Sequence, residues 1–204
     1  MSWPGLVLPV GHRLGPLHGL DGSGPVPGVV RRGDAAELLD PAEAAVWDLA
    51  RPRPDDPLPG DAALLEQRVA RARLEPEHVD RLLARDLLVR VRPEDPAVVP
   101  VSARVRARAL GSCAGSRADA LVFGVPGGAG LTVSAADAEV WLAAVYAADL
   151  WSAAAVLRAF QDPDRTTVAT AAERAGPLAR LWSVVPRFLA AGCGHLDVGE
   201  PAAR

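Results

Sequence analysis

Apolar positions along this chain recur with two periods, and the order of those periods is given twice. Val26 to Arg32 and Ala35 to Leu39 are short apolar stretches on either side of Gly33-Asp34, a sequence that predicts a hairpin. Asp40 then supplies an N-cap, Pro41 suits the first helical position, and Glu43 can reach back to the cap. A helix is expected from Pro41 to about Ala50, with Val46, Trp47 and Ala50 inward. The prolines between Arg51 and Gly60 forbid a helix there. Leu64, Leu65, Val69 and Ala72 mark a second helix over Asp61 to about Arg73. Val79, Leu82 and Leu83 mark a third over Pro76 to Asp86. Leu87 to Arg92 alternates as a strand, Pro93-Glu94-Asp95-Pro96 turns it, and a return strand is expected near Val98.

The second half repeats the pattern. Asp40-Pro41-Ala42-Glu43-Ala44-Ala45-Val46-Trp47 returns as Ser134-Ala135-Ala136-Asp137-Ala138-Glu139-Val140-Trp141. Leu121 to Val125, a Gly-rich turn from Pro126 to Gly130 and Leu131 to Val133 predict a second hairpin. Ser134 caps a helix to about Ala148, and Leu150 to Phe160 forms another. Thr166 to Ala175 and Leu178 to Ala191 complete the helical part, with Pro186 interrupting the last helix and Gly192 ending it. The expected fold class is α+β, mostly α: two tandem winged-helix-like modules, each of a short hairpin, three helices and a C-terminal strand. The expected boundaries are an extended N-terminal arm over 1–25, a first module over 26–103 and a second over 104–204.

Composition narrows the setting. Half of the 204 residues are hydrophobic, enough for two cores. All 22 basic residues are Arg, which together with abundant Ala, Gly and Pro points to a GC-rich bacterial genome. A net charge of −3 offers nucleic acid or an anionic membrane no overall attraction. Cys113 and Cys193 are too few for a disulfide framework. The first residues lack a signal-peptide pattern, and the apolar run from Val140 to Ala148 falls far short of the ~20 residues of a membrane span. A cytoplasmic chain without a membrane partner is expected.

Candidate chemistry is sparse. Arg90 and Arg92 alternate with valines, as do Arg104, Arg106 and Arg108 with Val105 and Ala107. If the two strands pair, five guanidinium groups share a face suited to phosphates or carboxylates; the alternative is a solvated sheet face. The helix that would enter a DNA groove, Glu75 to Asp86, has an acidic first turn, which counts against base reading. Cys193-Gly194-His195 suggests a thiol nucleophile, but Cys193 sits at an expected helix C-terminus, and a packed Cys with a surface His is the plainer reading. His12, His18 and His78 lack metal-ligand spacing. Gly124 to Gly130 contains Pro126 and no following Lys, so it reads as a turn, not a phosphate loop. No catalytic residue, metal or cofactor is expected.

Glu37-Leu38-Leu39-Asp40-Pro41, then Ala45-Val46-Trp47, Leu82-Leu83 and Asp86-Leu87-Leu88 resemble the PqqD-like, or RiPP recognition element, winged-helix domains over about residues 26–92. In that family a leader peptide adds a strand to the hairpin edge and packs on the third helix. The resemblance implies a groove between Ala35 to Leu39 and the third helix, with Leu38, His78, Arg81, Leu82 and Arg85 nearby. The Gly-Thr segment common after that family's first helix is replaced here by the Pro-rich stretch at 51–60, and a tandem arrangement is not its usual form. The expectation is a non-catalytic protein- or peptide-binding adaptor of a bacterial biosynthetic or regulatory complex. The alternative is a DNA-binding transcriptional regulator that uses Arg90, Arg92, Arg104, Arg106 and Arg108 on the backbone.

Overall fold

The computed structural model describes residues 5–14, 17–18, 25–26, 28–117, 120–125, 130–162 and 169–198. It is a mixed α+β chain. The first copy opens with β1 (Leu6–Pro9) and β2 (His12–Leu14), followed by a small inserted pair, β3 (Leu17–His18) and β4 (Pro25–Val26). The hairpin β5 (Val29–Arg32) and β6 (Ala35–Leu38) leads into α1 (Pro41–Leu49), α2 (Ala62–Arg71), α3 (Glu77–Ala84) and β7 (Leu88–Val91). A short α4 (Val98–Ser102) crosses to the second copy. There β8 (Val105–Ala109), β9 (Ser112–Arg117), β10 (Ala120–Gly124) and β11 (Leu131–Ser134) precede α5 (Ala135–Tyr146), α6 (Leu150–Gln161), α7 (Ala171–Ala190) and β12 (Gly194–Val198).

Strand pairing repeats with the element order. The sheets β2-β5-β6 and β11-β10-β9 are three-stranded and antiparallel. β1 pairs with β7 and β8 with β12 as two-stranded ribbons. The first strand of each copy therefore meets its last. This places Leu6–Pro9, expected to lie in an N-terminal arm, within the first copy as a strand with all four residues buried. A ribbon covered on both faces needs a continuous apolar run, and Leu-Val-Leu-Pro supplies one.

Local chemistry explains the matched helix ends. The Asp40 carboxylate accepts from Glu43 N at 2.7 Å, and the Glu43 carboxylate accepts from Asp40 N at 3.3 Å. Ser134 Oγ accepts from Asp137 N at 3.1 Å in the same role. Beyond α3, Asp86 takes a φ of 53° and Leu87 N donates to Leu82 O at 2.9 Å. Beyond α7, Gly192 takes a φ of 72° and Cys193 N donates to Phe188 O, also at 2.9 Å. Both are left-handed helix terminations that free the next residue to start a strand.

Two expected elements differ. The return strand near Val98 is the helix α4, because Asp95 turns the chain: its side chain accepts from Ala97 N at 2.8 Å and its carbonyl from Val98 N at 2.9 Å. Trp182 Nε1 donates to Ser102 Oγ at 2.9 Å, which ties α4 to α7. The two helices expected around residues 166–191 form a single helix, α7, with Pro177 and Pro186 inside it. A helix-interior proline costs about 3 kcal/mol. Leu178, Leu181, Trp182, Val185 and Phe188 are all essentially inaccessible, at about 1.5–3 kcal/mol per buried apolar side chain, so burial wins. The Gly-rich turn at 126–129 lies outside the described residues.

Two cores result. Val7, Val30, Val46, Trp47, Leu65, Val69, Leu82, Leu87 and Leu88 fill the first copy. Trp141, Trp182, Phe188 and Leu196 anchor the second, where Trp141 stacks on Phe188 at 4.5 Å. A Cβ at Gly194 would fall 2.6 Å from the Trp141 ring, so only glycine fits at that point of β12. The second core also takes in Leu6, Leu8, Val89 and Val91 from the β1–β7 ribbon. Among the described residues no helix is long and apolar enough to cross a membrane.

Candidate functional site

β6 lies at the edge of its sheet. Arg32 pairs with Ala35 across the Gly33-Asp34 turn, and Leu39 N donates to Gly28 O at 2.8 Å. That parity points the backbone groups of Ala35, Glu37 and Leu39 toward β5 and those of Ala36 and Leu38 outward. Ala35 and Ala36 are exposed, and Leu38 is 63% exposed. The edge thus presents small and apolar side chains beside outward-facing amides, the requirement for adding another strand.

An ion network connects this edge to α3. Arg85 donates to Leu38 O at 2.9 Å, Glu43 Oε2 at 2.9 Å and Glu37 Oε2 at 3.3 Å. Arg81 donates to Glu43 Oε1 at 3.3 Å, pairs with Asp40 at 3.5 Å and contacts His78 Nδ1. Arg32 donates to Glu37 at 3.1 Å. The Arg32 hydrogen bond, and secondarily Arg85, holds the Glu37 carboxyl below its ordinary range against the opposing effect of burial. The Glu43 backbone amide does the same for Asp40. Glu43 is buried at 6% exposure, so the network has one desolvated acid gripped by two arginines.

The structure places Leu38, Arg81, Arg85 and a half-buried His78 around one network. It removes Leu82 from the groove: that side chain is fully buried in the first core, because α3 turns it toward α1 and away from β6. Glu43 was read only as a cap, yet it also organises the groove. The second copy repeats this arrangement. Asp137, three residues after its cap like Glu43, pairs with Arg187 at 2.8 Å and Arg180 at 3.5 Å on α7.

The five-arginine face does not form. β7 pairs with β1 and β8 with β12, so Arg90 belongs to one ribbon, with Arg92 just beyond its end, and Arg106 and Arg108 to another. Arg104 precedes β8 and pairs with Asp86 at 3.4 Å. Arg106 is only 8% exposed, and Arg108 pairs with Asp197 at 3.7 Å. Arg90 and Arg92 are exposed.

Near the C-terminal strand, Cys193 is buried, and burial raises its thiol pKa. His195, expected at the surface, is half-buried, and both its ring nitrogens are buried without a hydrogen-bond partner among the described residues. Its ring lies 5.0 Å from that of His12, a pair that nothing in the sequence announces because the two residues sit at opposite ends of the chain. Desolvation, with His12 and Arg31 adding to it and Asp197 opposing, lowers the His195 pKa to about 4. Beside it, Asp197 Oδ1 accepts from Gly33 N at 2.7 Å and Val198 N at 2.9 Å, and Gly11 N donates to Leu196 O at 2.7 Å. These bonds fasten the first copy's sheet to β12. Cys113, expected in a linker, lies exposed in β9.

Comparison with protein families, curated proteins and solved structures found no match to this chain. Among the described residues no three or more His, Cys, Asp or Glu side chains gather as a metal site.

Proposed function

We propose that this chain is a non-catalytic adaptor that binds an extended protein or peptide segment, as part of a bacterial biosynthetic or regulatory complex. The observation that carries the reading is the β6 edge, with Leu38 63% exposed and outward amides at Ala36 and Leu38, flanked by Arg81 and Arg85 of α3. An incoming strand would gain backbone bonds along the edge, and its side chains would meet Leu38 and the arginines. The resemblance of residues 26–92 to leader-binding winged helices supports the same geometry. A DNA reading loses its main support once the arginines divide between two ribbons.

The test is affinity capture from a GC-rich bacterial extract with the wild-type chain and an Ala36→Pro variant, with and without nuclease. Pro at an outward edge position removes a bonding amide while leaving the β5–β6 ladder in place. The reading expects a discrete partner that survives nuclease and is lost with Ala36→Pro. A partner retained equally by the variant, or one that disappears with nuclease, would overturn it.

A further inference from the structure

Where the two copies meet, a pocket of about 100 Å³ has an ionisable lining that is entirely basic: His12, Arg13, Arg51 and His195. Its remaining walls include Trp47, Leu110, Leu189 and Leu196, so it is a partly apolar recess with cationic and imidazole groups. His12 sits opposite Arg31 in the β2–β5 ladder, and His195 opposite Arg108 in the β8–β12 ladder. Arg13 is engaged by Asp48, while Arg51 is exposed beside the pocket. Both buried nitrogens of His195 lack partners among the described residues, and buried polar groups are rarely left so.

We propose that this pocket binds a small oxyanion, a carboxylate or phosphate group, through the His12 ring and the Arg51 guanidinium, with the His195 ring in its wall. The charges around it favour an anion over a metal ion. No carboxylate or thiol is among the residues lining it. Asp197, on the same face of β12 as His195, is committed to Gly33 N, Val198 N and Arg108. Arg106 and Arg108 of β8 and Arg31 of β5 add positive charge on neighbouring strands. Burial above all, then His12 and to a lesser degree Arg31, keeps His195 neutral against the opposing charge of Asp197, with its pKa lowered to about 4. An anion would offset that penalty and raise the His195 pKa, so binding takes up a proton and tightens as pH falls toward about 4. The site stands independently of any strand bound at β6.

The experiment is a long-range ¹H–¹⁵N NMR titration of the histidine rings in the full chain, with inorganic phosphate, acetate and zinc in separate arms. Saturable shifts of His12 and His195, with His78 unmoved, are expected from phosphate or acetate, and the arm that saturates first names the preferred chemistry. Arg51→Ala, an exposed change that leaves both cores intact, should weaken the response by about tenfold, the loss of one charge-assisted hydrogen bond. Neither ring responding to either anion would overturn the proposal. So would an undiminished response in Arg51→Ala, or a response to zinc alone.

Discussion

The β1–β7 ribbon carries Leu6, Leu8, Val89 and Val91 on the face turned away from its own core, whereas the β8–β12 ribbon carries Arg106, Arg108, Asp197 and His195 at the matching positions. The match is set by backbone alone, since Leu87 and Cys193 each follow a left-handed residue and bond back to the preceding helix. One ribbon is buried on both sides and belongs to both cores; the other shows polar groups to the first copy's hairpin. Two halves with the same order of paired strands thus carry two different surfaces. The apolar one binds the copies together, and the polar one builds a basic junction between them.

The largest expected effect breaks this comparison at the ribbons. Leu8→Ala should cost about 2–5 kcal/mol, because Leu8 is wholly buried in the shared core. Arg108→Ala, at the matching position, should cost under about 1 kcal/mol, since its pair with Asp197 is long and its side chain is 45% exposed. Equal costs in chemical denaturation would contradict the assignment of the two faces.

A smaller contrast separates the two acid clamps. Glu43→Gln should destabilise by about 1–3 kcal/mol, because it weakens charge-assisted bonds to a buried carboxylate. Asp137→Asn should cost less than about 1 kcal/mol, since Arg180 and Arg187 are both more than 40% exposed. Urea midpoints of the two variants measure the difference directly.

A third contrast is a pH dependence, with separate contributions from the junction and from the β6 edge. His195 stays neutral in the folded chain down to about pH 4, while an unfolded histidine takes a proton near 6.5. Between those values the unfolded state binds more protons, so stability falls as pH falls from about 6.5 toward 4. Glu37 acts lower down: its carboxyl is held below the ordinary value, so its contribution is present above about 4.5 and is lost as pH falls through its folded value. Melting temperatures against pH should show both parts, and His195→Asn should flatten only the upper one.

The legible parts of the fold were those written in local chemistry. Asp40-Pro41 with Glu43, the Gly33-Asp34 turn and Gly192 each fix their backbone with neighbouring residues, and each lies where the sequence places it. What the sequence hid depends on distant pairing. Leu6–Pro9 looks like a proline-rich lead-in until β7 lies beside it. The arginine rows looked like one face because nothing local says that β7 and β8 choose different partners. Pro177 and Pro186 argued for a broken helix, and only the burial of α7 against the second core outweighs them. Around the β6 edge, the resemblance pointed to Arg81, Arg85 and Leu38 and also to Leu82, whose burial depends on the α1–α3 packing.

The most direct test of the shared ribbon is native-state hydrogen exchange on the full chain, comparing the amides of Leu8 and Val89 with those of α7. Because β1 and β7 contribute to both cores, their amides should exchange only through global unfolding, with the same denaturant dependence as Leu181 and Val185. Exchange of Leu8 and Val89 through a separate, lower-energy opening, while α7 stays protected, would show that the copies fold apart and would contradict the account.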